Sequence, residues 1–382
     1  MKLIVEGWRH LSHSYAVLNQ WHLLELAKRP DIDLRIAEPP FFNPNWRKQT
    51  GLFPLKGERV LRELRPSTPD FRPDASWRVS FPLDLTPPAA GVALVYGTAE
   101  GRVVPPSFLK PTVRLAETLA RPSVMITTPS RWSAEGFKRL GFPETRIVVI
   151  PHGIDPKMFR PRPELRKQVR KRLGLSGFVF MSVGAMSENK GMDVLLRAFA
   201  TIAERRKDVR LLLKGSDSIY TSQQWIAQNL KSLPRVQANL VTQRMLYRGD
   251  AFSMEQMASL YQAADAYVSP YRAEGFNIPV LEAAACGVPV ICTRGGSTDD
   301  FVDDSFAWRI DSRLRSVVID GAAGEALEPD VDHLVALMER LVEAHDFRQA
   351  AARLGPAHAA GRFSWESAVD QTLRWLATRG GA

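Results

Sequence analysis

Cysteine is scarce: the 382 residues hold two, Cys286 and Cys292, both in apolar surroundings. Neither a disulfide framework nor a cysteine zinc site can be built from them, and a reducing cytosol is the compartment they suit. Long apolar runs are missing too. No stretch of about 18 apolar residues occurs, so no transmembrane helix is expected. The opening residues Met1-Lys2-Leu3-Ile4-Val5-Glu6-Gly7 already read as a core strand, which leaves no room for a secretory leader. The expected location is cytoplasmic. Zinc-finger spacings and aromatic-basic strand motifs are absent, so the net charge of +10 does not point to nucleic acid. It suits phosphorylated ligands or an anionic membrane surface. The one basic concentration is Arg160, Arg162, Arg166, Lys167, Arg170, Lys171 and Arg172. It reads equally as a solvated helix face and as a peripheral contact with such a membrane.

What the chain does have is regular alternation of strand-like and helix-like segments, which argues for α/β architecture with parallel sheets covered on both faces. Its length predicts two domains. In the first half, strands are expected at Leu3–Glu6, Asp33–Ala37, Arg78–Phe81, Val92–Tyr96, Val124–Thr127 and Arg146–Ile150. Helices fit Ser14–Ala27, with Ser14 as its cap, and Ser107–Leu119 and Ser133–Leu140. The stretch from Pro39 to Pro88 is rich in Pro, Arg and aromatics and reads as irregular loops around one strand. A second series begins near Gly177 with the buried strand Phe178–Val183. Between the two lies Ile150-Pro151-His152-Gly153-Ile154-Asp155, a stiff turn rather than a loose linker.

The most informative segment is Glu274-Gly275-Phe276-Asn277-Ile278-Pro279-Val280-Leu281-Glu282. It follows the short strand-like run Ala266–Ser269 and opens a small-residue helix. A strand–loop–helix unit with glycine in the loop presents backbone N–H groups to one small volume, which suits an anion such as phosphate. Carboxylates do not hold phosphate, so Glu274 and Glu282 should accept from hydroxyls on either side of it. Lys190-Gly191 lies between a strand and a helix N-terminus, where a phosphate-facing lysine belongs. Lys214-Gly215 closes the strand Val209–Leu213.

This Glu-x7-Glu segment, with Gly-Phe after the first Glu and Cys-Gly-Val-Pro-Val-Ile after the helix, resembles the donor site of family-four retaining glycosyltransferases. The crossover Pro151-His152-Gly153-Ile154-Asp155 and the closing Phe363-Ser364-Trp365-Glu366 match the same family, so the resemblance spans roughly 116 to 377 and is looser before that. It implies the GT-B fold, two facing Rossmann-like domains with a cleft between them. The acceptor domain would be 1–160, the donor domain 161–362, and 363–382 a helix returning to the first.

The activity implied is transfer of a sugar from a nucleotide-sugar donor to a sugar, lipid or other hydroxyl acceptor, in glycoconjugate synthesis. Anomeric configuration would be retained, with no metal and no cofactor. Glu274 and Lys190 would be catalytic. Gly275, Phe276, Asn277 and Ile278 would hold sugar and diphosphate, Glu282 the ribose, and Gly7 would let the first-domain loop approach the diphosphate. His10, His13 and Glu100 are candidates to meet the acceptor. Two family features are missing. Ala185 stands where an arginine is usual, which suggests Lys214 as the second cation with Arg248 and Arg272 in reserve. The stretch Tyr96–Arg102 lacks the usual histidine. Two other readings stay open: a nucleotide-sugar hydrolase or epimerase on the same fold, and a degenerate member that only binds nucleotide sugar.

Overall fold

The computed structural model describes residues 1–378, so the last four residues of the expected 363–382 segment lie outside the described residues. The chain divides into two compact units. The first takes in Met1–Gly153, Ser316–Glu325 and the segment from Phe363 onward; the second takes in Ile154–Arg315 and Ala326–Arg362.

The first unit runs β1 (Lys2–Gly7), α1 (Ser14–Leu26), β2 (Asp33–Ala37), α2 (Leu55–Glu63), β3 (Ala75–Val79), β4 (Val92–Tyr96), α3 (Leu115–Ala120), β5 (Val124–Thr128), α4 (Arg131–Arg139) and β6 (Ile147–Val149). The strands form one parallel sheet in the order β2-β1-β3-β4-β5-β6. Helices cross both faces, so β3 and β5 are buried along their whole length and show no polar alternation.

That uniform burial explains one misplaced strand. β3 begins at Ala75 and ends at Val79, upstream of the expected Arg78–Phe81. Arg78 can sit inside it because its guanidinium donates to the Asp84 carbonyl at 3.0 Å and to that of Thr86. The expected helix 107–119 shrinks to α3, since Pro111 cannot donate within a helix and the residue before it avoids helical geometry. The loops expected from Pro39 to Pro88 contain α2, whose Glu58 accepts from the Phe53 backbone at 3.0 Å.

The second unit begins with α5 (Pro163–Leu173), β7 (Phe178–Val183), α6 (Met192–Arg205), β8 (Val209–Lys214), α7 (Ser222–Lys231), α8 (Arg235–Arg244), β9 (Met245–Arg248), α9 (Met254–Tyr261) and β10 (Ala266–Ser269). It continues with α10 (Ile278–Ala285), β11 (Val290–Thr293) and β12 (Ala307–Ile310). The paired β13 (Ser312–Ile319) and β14 (Ala322–Pro329) come next, and their residues 316–325 belong to the first unit. α11 (Val331–Glu343) and α12 (His345–Arg362) follow. Its parallel sheet has the order β12-β11-β10-β7-β8-β9. Leu195, Phe199 and Ile202 of α6 pack against Leu211 and Leu213 of β8 in its core.

The basic concentration 160–172 turns half inward. Arg166 and Arg170 on α5 both bind the Asp265 carboxylate, and they donate to the carbonyls of Gln262, Ala263 and Ala264 ahead of β10. They tie α5 to the sheet rather than forming a solvated face. Arg160, Lys167, Lys171 and Arg172 stay exposed.

After α12 the chain re-enters the first unit as α13 (Trp365–Ala377), which packs along α1. Trp365 stacks on Trp21 with ring centroids 5.7 Å apart and planes within 7°, and Arg29 pairs with Asp370 at 2.6 Å. Gly153 fits beneath the start of α13 with no space for a side chain: a Cβ there would lie 2.1 Å from the Trp365 nitrogen. Gly153→Ala should therefore lower unfolding stability by about 1–3 kcal/mol, the usual cost of overpacking. A shift of the urea midpoint at unchanged slope would show it; an unchanged midpoint would refute the fit.

Candidate active site

In a doubly wound sheet, ligands gather at the carboxyl ends of the strands where the strand order reverses. In the second unit that point lies between β7 and β10. The two loops that leave these strand ends carry Lys190 and Glu274.

Backbone geometry brings them together. After β7 the chain passes through Gly184 (φ 155°) and Met186 (φ 59°), makes a single 3-10 turn at Glu188–Lys190, and enters α6 through Gly191 (φ 66°). A Cβ on Gly191 would lie 1.8 Å from the Pro270 carbonyl oxygen, so only glycine allows the loops this approach. The Asn189 carbonyl then accepts from the backbone of Arg272 at 2.8 Å and of Ala273 at 3.1 Å. Lys190 Nζ ends 2.6 Å from Glu274 Oε1, both side chains largely enclosed.

Beyond Glu274 the loop turns into α10. Phe276 is buried and stacks on Phe301, with centroids 4.4 Å apart. Asn277 adopts left-handed geometry at the cap and donates from its side chain to Ser269 Oγ at 2.9 Å. Gly275 is buried in the same turn, Ile278 begins the helix, and Pro279 occupies an early position where its missing N–H costs nothing. Glu282 is one turn further on, and its Oε2 accepts from the Tyr261 hydroxyl at 2.7 Å. Burial raises the Glu282 carboxyl to about 7, while the Tyr261 bond acts against the rise.

The second cation Lys214 and its two reserves differ in posture. Lys214 is buried at the end of β8, where its ammonium donates to the carbonyls of Gly215 and Asp250, the second at 2.8 Å, and lies over the Phe252 ring. Burial lowers its pKa to about 8. Arg248 pairs with Asp250 at 2.8 Å. Arg272 is buried and bound to Asp193 and Glu328, at 2.5 and 2.8 Å. Among the described residues, no group of three or more His, Cys, Asp or Glu side chains is placed to hold a metal ion.

In the first unit the equivalent reversal lies between β1 and β3, and Gly7 ends β1 there. A Cβ on Gly7 would come within 2.7 Å of both Asn19 Nδ2 and the Val79 carbonyl, so packing alone requires glycine. His10 sits at φ 56°, its backbone donates to Gln20 Oε1 at 2.9 Å, and its ring lies 3.8 Å from Glu58. Burial lowers its pKa. The cap of α1 is His13, not Ser14: its Nδ1 accepts from the Tyr15 backbone at 3.2 Å, and Ser14 begins the helix proper. Packed against Trp46 and Trp8, His13 is lowered by burial to about 4, so it stays neutral and can act as an acceptor. Glu100 is half-buried, its carbonyl accepting from Trp132 Nε1 at 2.6 Å.

Three buried polar residues have contacts that are not visible in the sequence. Tyr261 lies on α9, where nothing marks it as the partner of Glu282. Arg272 reads there as a spare cation. His152, in the Pro-His-Gly turn, is buried with its Nε2 at 3.0 Å from the Tyr96 hydroxyl, and burial lowers it to about 3. Only the turn motif itself could draw attention to it.

Residues 177–344, which hold Lys190, Lys214 and the whole Glu274–Glu282 segment, match the family of glycosyl transferases group 1. That segment is a group 1 glycosyltransferase domain. The chain is similar to the D-inositol 3-phosphate glycosyltransferase of Segniliparus rotundus, 32% identical over 62% of this chain and 48% of that one. It is also similar to a GDP-mannose-dependent alpha-(1-6)-phosphatidylinositol monomannoside mannosyltransferase of Mycolicibacterium smegmatis, 27% identical over 67% of this chain and 65% of that one. The chain thus spans about half to two thirds of the length of these relatives. Among solved structures, Anabaena HepE, in complex with UDP and glucose, superposes with a TM-score of 0.71 at 15% identity over 99% of this chain and 100% of that one. The likeness fixes the fold as GT-B.

The raised Glu282 carboxyl of the group 1 domain has a measurable consequence. A folded-state pKa near 7, above the ordinary carboxylate value, adds stability at pH below about 4.5 that is lost as pH rises through 7. The melting temperature of wild type relative to Glu282→Gln should therefore fall between pH 5 and pH 8. A difference that stays flat over that range would show that Glu282 ionises normally.

Proposed function

We propose that this protein is a retaining, metal-independent glycosyltransferase that moves a sugar from a nucleotide-sugar donor to an acceptor hydroxyl in glycoconjugate synthesis. The single observation that carries the reading is the Lys190–Glu274 pair at the strand-order reversal of the group 1 domain. A cation and a carboxylate held together there match the two charges of the reaction. Lys190 would meet the diphosphate as its bond to the sugar breaks, aided by N–H groups at the start of α10. Glu274 would face the anomeric carbon, where positive charge develops. The acceptor oxygen would attack from the face the diphosphate leaves, and the departing phosphate oxygen would take the acceptor proton. Retention follows without a protein base or a covalent sugar intermediate.

Glu282 would receive the ribose hydroxyls, a role its bond to Tyr261 prepares by fixing the carboxyl group. Lys214 would add charge behind Lys190 through its place at the end of the neighbouring strand. The acceptor would be a sugar, lipid or other hydroxyl, in keeping with the inositol 3-phosphate and phosphatidylinositol monomannoside in the names of the two sequence relatives. Work at the cytoplasmic face of an anionic membrane would suit the exposed Arg160, Lys167, Lys171 and Arg172.

Thermal shift with UDP-, GDP-, ADP- and TDP-sugars tests the reading directly. A ligand at ~100 times its Kd adds ~2.7 kcal/mol of stability; no shift with any of them would refute donor binding. With the donor known, Glu282→Ala should raise donor KM, while Glu274→Ala should lower kcat by about 100-fold or more, since its interaction is strongest in the transition state. Equal effects on donor affinity with kcat untouched would contradict these roles. Because Lys190 carries the phosphate charge, activity should survive EDTA; loss restored by magnesium would overturn metal independence.

A further inference from the structure

We infer that Arg272 is a positioning residue that holds Lys190 and Glu274 in register, an inference that rests on the transfer reaction proposed above. Arg272 precedes Glu274 by two residues and is buried. A guanidinium has five N–H donors in a fixed plane, and each has a partner here. Nε donates to Glu328 Oε2 at 3.0 Å. One terminal nitrogen donates to the Glu188 carbonyl at 3.1 Å and to Asp193 Oδ1 at 2.5 Å. The other donates to Asp193 Oδ2 at 2.9 Å and Glu328 Oε1 at 2.8 Å.

Two of these partners bracket Lys190. Glu188 lies in the 3-10 turn that ends at Lys190, and Asp193 lies in the first turn of α6, just beyond Gly191. The guanidinium thus grips the Lys190 segment on both sides, while the Arg272 main chain is bonded to Asn189 between them. On the other flank, the Arg272 carbonyl accepts from the Leu327 backbone at 2.8 Å, next to Glu328. Main chain and side chain of Arg272 together keep the two loops from sliding past each other. Asp193 responds to the same contact: burial acts to raise its carboxyl, but the bonds and charge of Arg272 hold it below the ordinary value.

This arrangement also removes Arg272 from the reserve of phosphate-binding cations. With its donors saturated and two carboxylates against it, it has no capacity to follow a diphosphate. Its effect on chemistry passes through Lys190 and Glu274. A ~1 Å displacement of reacting groups can cost ~100-fold in rate, so the expected signature is a loss of turnover that retained charge does not repair.

The test uses the full chain with Arg272→Lys, Asp193→Asn and Lys190→Met. Arg272→Lys keeps the charge but has three donors on one atom, so it cannot span both sides of the loop. It should lower kcat by about 100-fold below its melting temperature, with donor KM changed much less. Asp193→Asn, nearly isosteric and the safer variant for folding, should lower kcat by about 10-fold. Combined with Lys190→Met, neither change should add its full effect, because both act through the group already removed. A crystal structure of Arg272→Lys, or of Asp193→Asn if the first does not fold, should show Lys190 Nζ withdrawn from Glu274, well beyond the present 2.6 Å. Full turnover in both variants, strict additivity with Lys190→Met, or an unchanged Lys190–Glu274 separation overturns the inference. A wild-type chain that transfers no sugar from any donor instead sinks the glycosyltransferase reading, and the crystallographic arm still decides the role of Arg272.

Discussion

The second unit depends on a meeting of main chain with main chain. The Cα of Gly191 faces the carbonyl of Pro270 so closely that no side chain fits between them. This approach sets the depth at which the loop after β7 meets the loop after β10. The Asn189 carbonyl, shared by the two backbone donors of Arg272 and Ala273, then sets their register. Side chains finish the job: Lys190 reaches Glu274 because the backbones of both loops are already fixed. Left-handed geometry at Asn277 and the stacking of Phe276 on Phe301 extend the same rigid surface into α10. A site built this way is preorganised by backbone shape, and the charged pair inherits its geometry.

Much of this is legible in the sequence, for physical reasons. Strands buried on both faces are continuous apolar runs, so β7 can be placed from Phe178–Val183 alone. Glycine where a backbone must be approached, and proline at the head of a helix, mark the 274–282 segment without any knowledge of the fold. Elements whose stability comes from distant partners stay hidden. α8 and β9 have no strong pattern, and β9 forms by pairing with β8. The β13–β14 hairpin turns at Asp320-Gly321, both at positive φ, but β13 is mostly exposed and offers no buried alternation. Arg272 and Tyr261 share this limitation: their roles are set by residues far away in sequence, and local spacing cannot report them.

The net charge of +10 proves a poor guide to ligands, and the arginines show why. Arg78 and Arg146 in the first unit, and Arg166, Arg170 and Arg244 in the second, donate to backbone carbonyls in loops and near helix ends. A guanidinium can satisfy several such orphan acceptors at once, which lysine cannot do with the same planarity. Part of the basic composition thus serves as internal scaffolding.

One carboxyl connects the site to its solvent in a further way. Glu282 holds its proton near neutrality, beside a tyrosine that donates to it. On the proposed reading, ribose hydroxyls bind best to the ionised form, so nucleotide capture at pH 7 displaces part of a proton. Capture and proton release then form a single thermodynamic event. The heat of binding would include the heat of buffer protonation, and titrations in phosphate and in Tris would return different enthalpies for the same complex. A carboxyl buried inside the protein would thereby become visible in the choice of buffer.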